Sequence, residues 1–366
     1  MVNWQKTFGR NLKELRKKNG YTQVRLAEEL NYSEKTVAKW ENGASAPSID
    51  ALLEICELLG TNLDRLFFRT DDSVYYLGID GGGTKTALML ADKNGVVINT
   101  KVVEATNPFV VGVERAKSTL EKAVYDICKG ISLSNIVMFA GIAGCGVETN
   151  KKIFKDFFEK FNFSKFEVDG DNYNIITLGL GNGDGITLIS GTGFCVYQCI
   201  GGKKKRYAGW GALFDNGGSG YSIGCDVIKA YFEAFDGSGD RTLITEMLDT
   251  EINMSRDEFL TVAYREDKTY ISSFSHIAFD AAEKGDKVAI AIINRNIDFV
   301  VKVLNAAVKP FGNKPVKLVL AGGTATHSAY KDFLIRALPH DHKFDIVTLT
   351  EEPVSGAVKR AELMDC

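Results

Sequence analysis

Proline is scarce in this sequence, at 6 residues among 366, whereas glycine contributes 36. This imbalance excludes stiff proline-rich linkers and predicts glycine-rich loops. No stretch approaches the roughly 18 consecutive apolar residues of a membrane-spanning helix. The N-terminal segment also lacks the apolar core of a secretory signal. We therefore expect a cytoplasmic protein with no membrane partner.

Paired cysteines are absent as well. The seven cysteines are odd in number and scattered, and no two form a Cys-x-x-Cys pair. Cys195 and Cys199 lack the further ligands that a zinc site needs. The spacing favours buried, reduced thiols over a disulfide framework or a zinc site.

The net charge is also informative. A formal net charge of -3 excludes a polybasic coat for nucleic acid or membrane over the whole molecule.

The sequence does contain enough apolar residues for more than one core. Hydrophobic residues make up 45% and charged residues 25%, which is typical of a soluble globular protein. At roughly 150 residues per domain, the length predicts two or three domains. Residues 1–68 show apolar positions at helical spacing, the polar segment 69–73 has the character of a linker, and strand patterns begin at residue 74.

Strand and helix patterns alternate after residue 74, which predicts α/β layers. The expected strands are 74–80, 86–90, 96–103, 134–140, 166–168, 185–189, 194–200, 317–320 and 344–349. The expected helices are 112–130, 148–161, 219–235, 240–250, 272–285, 287–310, 326–337 and 354–364. A strand–glycine-turn–strand unit occurs at 74–90 and again at 185–200, which indicates an internal duplication.

A helix–turn–helix pattern lies in the N-terminal segment. Thr22 and Ser33 are typical N-cap residues, and each precedes apolar positions at helical spacing. Ala27 is small enough for two helices to approach closely, while Val37 and Trp40 lie on the core side of the second helix. The outward, groove-facing positions of that helix are then Glu34, Lys35, Thr36 and Lys39.

Charge is distributed unevenly along this segment. Residues 1–40 hold nine Lys and Arg against four Asp and Glu, whereas residues 41–72 hold two against seven. The segment resembles the lambda-repressor-like, XRE-family DNA-binding domain over essentially its whole length. The resemblance implies double-stranded DNA as a partner, bound by a homodimer on a two-fold operator. It places Glu34, Lys35 and Lys39 at base edges, and Gln23 and Asn42 at phosphates. The alternative is a helical docking domain whose positive face is merely solvated.

A glycine-rich turn is the first candidate for ligand chemistry. Gly78–Thr86 joins two strands, whereas a P-loop and a Rossmann fingerprint both lead into a helix. A hairpin of this kind can still turn backbone N–H groups and a hydroxyl toward phosphate oxygens. The phosphate-facing residues are then Gly81, Gly82, Gly83, Thr84, Lys85 and Thr86. Asp80 at the strand end could hold Mg²⁺ through water, although a tight hairpin with no ligand fits the same residues.

Two further glycine loops end later strands. Ser190-Gly191-Thr192-Gly193 follows one predicted strand, and Ala321-Gly322-Gly323-Thr324 follows another. In this order the three loops resemble the phosphate-1, phosphate-2 and adenosine loops of the actin-like and sugar-kinase ATPases. That resemblance implies two ribonuclease-H-like α/β lobes that clamp ATP, with nucleotide contacts at Gly191, Thr192, Gly193, Gly322 and Gly323. We assign lobe 1 to 74–180 and lobe 2 to 181–366, with the last helix either in lobe 2 or returned to lobe 1.

Finer motifs narrow the resemblance to one branch. They are GIDGGGTKT at 78–86, TNP at 106–108, GDN at 170–172, SGTG at 190–193, GWG at 209–211, GSGY at 218–221 and Ile223-Gly224. Nearly all of 74–366 resembles the BadF/BadG/BcrA/BcrD ATPase family, which includes N-acetylglucosamine kinase. The resemblance implies ATP-dependent phosphorylation of an amino sugar, with ATP and Mg²⁺ as cofactors and Asp171 as the base for the sugar hydroxyl. It also implies sugar contacts at Asn107, Gly209, Trp210, Asp215 and Asn216.

The resemblance is incomplete at one motif. The family usually reads GDEGS after the GWG step, whereas an ungapped match here gives Asn216-Gly217 in place of the acidic pair. Two functions therefore stay open: a kinase with a DNA-binding arm, or a transcriptional regulator that senses a sugar or ATP without phosphoryl transfer. Gly170-Asp171-Asn172 is also ordinary turn chemistry, and Asp169 is the nearest rival as base. An iron–sulfur activator is disfavoured, because no cysteine precedes the Gly-Thr-Gly loop.

Overall fold

The computed structural model describes residues 4–67, 74–339 and 342–365. The predicted linker, 69–73, lies outside the described residues. The chain forms two compact units, one of Met1–Asn174 with Pro353–Cys366 and the other of Ile175–Glu352. None of the described helices is both long and apolar enough to cross a lipid bilayer. The six cysteines within the described ranges are free thiols.

The first unit opens with short helices. They are α1 Trp4–Lys18, α2 Gln23–Glu29, α3 Glu34–Glu41, α4 Ile49–Leu58 and α5 Leu63–Phe67. The Thr22, Ser33 and Ser48 hydroxyls each accept a backbone N–H at the start of α2, α3 and α4, which satisfies donors that a helix leaves unpaired. Val37 and Trp40 are buried in the apolar core of this domain. The second helix of the motif therefore has its core side where the sequence pattern predicts it.

A buried ion pair holds α3 against α1. Arg16 Nε and Nη2 donate to the two carboxylate oxygens of Glu41 at 2.5 and 3.1 Å, and both residues are buried. Gly9 permits this approach, because a Cβ there would lie 2.5 Å from the carbonyl oxygens of Trp40 and Glu41. Arg16 is one of the nine basic residues counted in 1–40. Its charge is neutralised inside the domain, so the surface is less basic than the count implies.

The rest of the first unit is built on a five-stranded sheet. Its strands are β1 Tyr75–Gly81, β2 Lys85–Asp92, β3 Val97–Glu104, β4 Ile136–Ile142 and β5 Lys165–Asp169, in the order β3-β2-β1-β4-β5. The β1–β4 and β4–β5 pairs are parallel, and the β1–β2 and β2–β3 pairs are antiparallel. The helices of this part are α6 Pro108–Val111, α7 Val113–Ile127, α8 Glu148–Phe158 and α17 Pro353–Asp365.

The two faces of this sheet are covered by different helices. Leu120 of α7 and Phe154 of α8 belong to the apolar cluster on one face. The C-terminal helix α17 packs on the other face, where Ala357 and Val358 join the cluster of Tyr76 and Phe139. The chain therefore returns to the first unit with its last helix after completing the second unit.

The second unit repeats the sheet topology of the first. Its strands are β6 Gly185–Ser190, β7 Phe194–Ile200, β8 Lys203–Ala208, β9 Val316–Ala321 and β10 Phe344–Thr348, in the order β10-β9-β6-β7-β8. The β6–β9 and β9–β10 pairs are parallel, and the β6–β7 and β7–β8 pairs are antiparallel. Each sheet thus joins an antiparallel meander to two parallel strands, which agrees with the duplication expected from the sequence.

Helices cover this second sheet and connect its strands. They are α9 Asn172–Leu180, α10 Gly220–Asp236, α11 Leu243–Ile252, α12 Arg256–Arg265, α13 Lys268–Ser273, α14 Ser275–Glu283, α15 Lys287–Val308 and α16 Ser328–Ala337. The chain passes from the first unit to the second inside α9, between Asn174 and Ile175. The main core of the second unit lies between its sheet and α10, α14 and α15, around Val227, Ile293 and Leu304.

Some elements differ from the sequence expectations. The strand β8 was not expected, because the run Lys203–Arg206 reads as a charged loop, yet charge is also typical of an edge strand. Helix α9 was missed because it begins within the turn-forming residues Gly170-Asp171-Asn172. The expected helix 272–285 is interrupted at Phe274, where α13 ends and α14 begins. Helix α12 was not expected either.

Candidate functional site

The carboxyl ends of parallel strands bring acidic residues to one edge of the first sheet. The β1–β4 register pairs Asp80 with Gly141, and the β4–β5 register pairs Gly141 with Asp169. Asp80 is half-buried, and Asp169 is only 8% exposed. Asp171 comes two residues after β5 ends, in the turn before α9. Asp80, the predicted magnesium-binding residue, and Asp171, the predicted base, are therefore at the same edge of the first sheet.

The β1–β2 turn places a cradle of backbone groups next to Asp80. Gly82 N–H donates to the Lys85 carbonyl at 2.9 Å, and the Gly82 carbonyl accepts the N–H groups of Thr106 and Asn107, each at 3.1 Å. A Cβ on Gly81 would lie 2.6 Å from Thr106 Oγ1, so a side chain there would displace its neighbour. Glycine is favoured here because the side chain of Thr106, in the loop after β3, lies directly against Gly81.

The six predicted phosphate-facing residues of this turn do not share one environment. Gly83, Thr84 and Lys85 are exposed at the tip, where their N–H groups can meet an anion. Thr86 is fully buried instead, and its hydroxyl lies 2.7 Å from that of Thr106. The Thr86 hydroxyl therefore faces the interior and supports the strand, and the expected phosphate contact at Thr86 stays a prediction for its backbone.

Asn107 begins the short helix α6 beside the same turn. Its Oδ1 accepts the Phe109 N–H at 3.0 Å, which fixes the plane of the amide. The amide nitrogen faces the turn, since a Cβ on Gly83 would lie 3.8 Å from it. Asn107 is half-buried. Asn107, the residue predicted to contact the sugar, is thus oriented by its own helix and lies next to the turn predicted to hold phosphate.

Asp169 is engaged by groups of the protein. Lys151 Nζ of α8 lies 2.5 Å from Asp169 Oδ2, and the Gly170 N–H donates to Oδ1 at 2.7 Å. Partial burial disfavours the charged form of Lys151, but the hydrogen bond and negative charge of Asp169 outweigh it and raise the pKa of the ammonium group. Asp169 therefore organises the loop through contacts within the protein.

Asp171 has a different setting from Asp169. It is half-buried, and its Oδ1 accepts the Asn172 N–H at 3.0 Å. Both carboxylates are close enough to Cys145 to act on its thiol: burial, and then the charges of Asp169 and Asp171, raise the pKa of Cys145 to about 12. The thiol is therefore protonated and inert at neutral pH. Of the two aspartates, Asp171 is the more exposed.

The donors at this edge suit a magnesium ion that arrives with a nucleotide. Among the described residues, no three His, Cys, Asp or Glu side chains gather as a metal site. Mg²⁺ bound to a nucleotide keeps waters and phosphate oxygens as ligands and needs only one or two carboxylates. Asp80 offers such a carboxylate, and its Oδ1 is fixed by Asn174 Nδ2 at 2.6 Å.

In the second unit, two glycine loops pack against each other at the ends of β6 and β9. Ser190 O accepts the N–H groups of Thr324 and Ala325, each at 3.0 Å. Gly322 has φ +89, and a Cβ there would lie 2.4 Å from Ser190 O. Gly191 N–H donates to the Gly193 carbonyl at 2.9 Å and closes the tight turn. The predicted phosphate-2 and adenosine loops are therefore neighbours.

The N-terminus of the long helix α10 lies directly beside these loops. Ser219 caps it through a capping box with Ser222. Gly220 N–H donates to the Gly191 carbonyl at 2.7 Å, and Gly220 has no room for a side chain, since a Cβ would lie 2.5 Å from Ser272 Oγ. A helix N-terminus with this position relative to a glycine turn favours phosphate.

A cavity of about 570 Å³ opens at this end of α10. Its lining includes Thr192, Gly193, Gly209, Asp215, Asn216, Lys229, Lys268 and Arg295. Asp215 Oδ2 accepts the Gly211 N–H at 3.0 Å and so closes its own loop. Trp210 is 58% exposed, with the Arg206 guanidinium 3.8 Å from its ring centroid. Asn216 is exposed at the cavity wall, where the related motif has an acidic residue.

The predicted DNA-facing residues share the outer side of α3. Glu34, Lys35, Lys39 and Asn42 are exposed, and Asn42 ends the helix as its C-cap. Thr36 is half-buried, with its hydroxyl 2.9 Å from that of Ser33. Gln23 departs from the rest, because its Nε2 donates to Glu41 Oε2 at 2.7 Å. Its amide is thus tied to the Arg16–Glu41 pair as well as lying at the start of α2.

Comparison with models of protein families shows to which family the chain belongs. Residues 77–358 match the model of the BadF/BadG/BcrA/BcrD ATPase family, which is most of the sequence. The chain belongs to this family. Residues 12–66 match a helix-turn-helix model, so a helix-turn-helix domain precedes the BadF-type region.

Curated relatives cover the BadF-type region almost completely. An N-acetyl-D-glucosamine kinase of Dictyostelium discoideum is 26% identical over 308 residues, which is 77% of this chain and 96% of the relative. An N-acetylmuramic acid/N-acetylglucosamine kinase of Clostridium acetobutylicum is 29% identical over 304 residues, which is 78% of this chain and 97% of the relative.

Solved structures show the same fold. A protein of Chromobacterium violaceum assigned as an N-acetylglucosamine kinase superposes with a TM-score of 0.64 at 18% identity. The superposition covers 80% of this chain and 100% of that one. A ROK-family transcriptional regulator superposes with a TM-score of 0.50 at 14% identity, covering 98% of this chain and 96% of that one. The fold of this BadF-type chain is thus that of the sugar kinases in the actin-like ATPase class.

Several residues of the BadF-type site were missed by the sequence patterns. Lys151, Asn174 and Asn296 lie on helices and show no motif. Only the fold brings Lys151 and Asn174 to the strand ends of the first sheet, and Asn296 to the start of α10. Asn296 Oδ1 accepts the Gly218 N–H at 3.0 Å and the Ser222 hydroxyl at 2.7 Å, and its amide donates to Asp226. The one available signal was polarity at core-facing helix positions, where a buried polar side chain needs a partner.

Proposed function

We propose that this chain transfers the γ-phosphoryl group of ATP to a hydroxyl of an amino sugar, in the cytoplasm, and that its helix-turn-helix domain binds DNA as part of a homodimer. The observation that carries the kinase proposal is the pair of carboxylates Asp80 and Asp171 at one strand edge beside the glycine cradle. The names of the curated relatives support N-acetylglucosamine or a related amino sugar as the acceptor.

Phosphoryl transfer asks the protein mainly for positioning and charge neutralisation. Mg²⁺-ATP, when bound, supplies the phosphoryl group and neutralises its charge. In the first unit, Asp80 would hold the ion, and N–H groups of the exposed turn at 83–85 would hold phosphate oxygens. In the second unit, the proposed phosphate contacts are the N–H groups of Gly191–Gly193. Gly322 and Gly323 would lie against the adenosine.

Asp171 has the part of general base in this proposal. Its carboxylate accepts the proton of the attacking sugar hydroxyl, and Asn107 orients that sugar through its amide nitrogen. Asp169 keeps its Lys151 ion pair throughout and holds the loop in shape. A carboxylate that is only half-buried exchanges protons with water after the reaction, so the base is regenerated between turnovers.

A second candidate function is a regulator that binds sugar or ATP without transfer. The observation in its favour is Asn216-Gly217, which replaces the family's acidic pair at the wall of the cavity. In that case the BadF-type region acts as a sensor for the helix-turn-helix domain. Both functions predict ligand binding, and only the first predicts turnover.

Kinetics of ADP release distinguish the two functions. The purified full chain is given ATP and Mg²⁺ with N-acetylglucosamine, N-acetylmuramic acid, glucosamine or glucose. Asp171→Asn should reduce sugar-dependent release by about 100- to 10,000-fold, whereas the matched exposed variant Asp156→Asn on α8 should leave it unchanged. Equal release by the wild type and Asp171→Asn would remove Asp171 as the base. Sugar binding without release by the wild type would favour the regulator.

A further inference from the structure

Asn174 is a buried polar residue for which the family resemblance gives no role. It lies in the first turn of α9, is fully buried, and is the last residue of the first unit before the chain enters the second. Its Nδ2 donates to Asp80 Oδ1 at 2.6 Å. The same nitrogen lies 3.4 Å from the Ile79 carbonyl and 3.5 Å from the Gly141 carbonyl. The amide is thus centred where β1 and β4 end.

Strand β4, which pairs with β1, leaves space for this amide at Gly141. A Cβ on Gly141 would lie 2.2 Å from Asn174 Oδ1 and 2.5 Å from its Nδ2, so the residue paired with Asp80 must be glycine. Asn174 Oδ1 nevertheless has no hydrogen-bond partner, although it is buried. A buried acceptor without a partner costs free energy of folding. The side chain is therefore poorly explained by stability alone.

Asn174 also connects the two carboxylates of the proposed reaction. Its backbone N–H donates to the Asp171 carbonyl at 3.1 Å, while its side chain donates to the Asp80 carboxylate. One residue thus ties the loop that carries the proposed base to the residue proposed to hold Mg²⁺. Their separation is set by a single turn of α9, which is rigid compared with a loop.

We propose that Asn174 is a positioning residue that fixes the Asp80 carboxylate for the magnesium ion of a bound nucleoside triphosphate or diphosphate. This inference rests on the proposed function, because it assumes that Asp80 meets a magnesium–nucleotide complex. Groups that orient a metal-binding carboxylate are worth about 10- to 100-fold in metal affinity or activity. The orphaned oxygen is then the structural cost of placing a donor against Asp80.

The test separates magnesium-dependent from magnesium-independent binding of ADP. Calorimetry on the full chain gives the ADP dissociation constant with Mg²⁺ and with EDTA, for the wild type and Asn174→Leu. We expect Asn174→Leu to lose about 10- to 100-fold in the magnesium-dependent affinity, with no change in EDTA and a melting temperature equal to or above that of the wild type. Thr177→Val, another buried polar residue one turn along α9, should leave both affinities unchanged.

A second variant reaches the same contact from the other side. Gly141→Ala introduces the Cβ that would overlap the amide, so it should displace Asn174 and cause the same magnesium-specific loss. Unchanged magnesium dependence in Asn174→Leu would overturn the inference, and so would an equal loss in EDTA or a lower melting temperature with normal magnesium dependence. A wild type that shows no magnesium-dependent ADP binding would overturn it together with the proposed function. Wild-type binding without sugar turnover, but with the Asn174→Leu defect, would overturn the kinase proposal alone.

Discussion

Asp169 and Asp171 are two residues apart in the sequence but have different surroundings in the structure. Asp169 ends β5, is nearly buried, and is paired with Lys151, whereas Asp171 lies in the following turn and is half-buried. The sequence alone could not separate them, because both precede a glycine or asparagine turn. The decisive partner, Lys151, comes from α8 and is brought to Asp169 only by the fold.

The Lys151–Asp169 pair gives a prediction about stability. Lys151→Met should lower the free energy of unfolding by about 1–3 kcal/mol, because it leaves a nearly buried carboxylate without its cation. Asp169→Asn in the same background should restore part of the loss. Urea unfolding of the four proteins in a double-mutant cycle measures the coupling.

The same pair has a defined pH dependence. Asp169 raises the pKa of Lys151 above its ordinary 10.5, so the stabilisation is complete below that pH and is lost as the pH rises through the folded-state pKa. The stability difference between wild type and Lys151→Met should therefore be constant from about pH 7 to pH 9. If this stability difference decreased within that pH range, the ion pair with Asp169 would not be the source of the stabilisation by Lys151.

At the scale of elements, α10 and α12 offer a matched comparison. Both begin with a serine capping box, Ser219 with Ser222 and Ser255 with Glu258. Only Ser219 lies at the phosphate loops and the cavity. Ser219→Ala and Ser255→Ala should each cost about 0.5–2 kcal/mol of stability, but only Ser219→Ala should weaken ADP binding. Thermal unfolding and calorimetry measure the two effects, and equal ADP affinity in both variants would exclude α10 from the nucleotide site.

Elements were predictable from the sequence where one local pattern sufficed. The strands that end in glycine loops were expected because an apolar run followed by glycine has few other readings. The strand β8 was missed because Lys203–Arg206 is charged on both faces, and only an edge position makes this favourable. Helix α9 was missed because its first turn is built from residues that are common in loops.

At the scale of the whole molecule, the first unit opens with a helix-turn-helix domain, and the two units contain sheets of the same topology. The sequence indicated this organisation through the change of apolar period at residue 74 and through the repeated strand–turn–strand unit. It could not indicate the buried side-chain pairs, such as Arg16 with Glu41 or Asn174 with Asp80. These depend on contacts between residues far apart in the chain, which periodicity and spacing do not report.

The DNA-binding proposal predicts that the two activities can be separated by mutation. Lys39→Gln on the exposed side of α3 should weaken operator binding by about 1–3 kcal/mol, and sugar-dependent ADP release should not change. The matched variant Lys302→Gln, on α15 of the second unit, should affect neither. Electrophoretic or anisotropy titrations at fixed salt measure the affinity. Unchanged DNA affinity in Lys39→Gln would favour a helical docking domain.

Formation of a sugar phosphate by the intact wild-type chain tests the central claim most directly. The chain is incubated with Mg²⁺-ATP and each amino sugar in turn, and mass spectrometry follows the product. Our account predicts one new phosphate monoester on N-acetylglucosamine or a close relative, formed in proportion to ADP and absent with Asp171→Asn. No sugar phosphate with any acceptor, alongside measurable binding of the same sugars, would contradict the account and leave the regulator as the function of the BadF-type region.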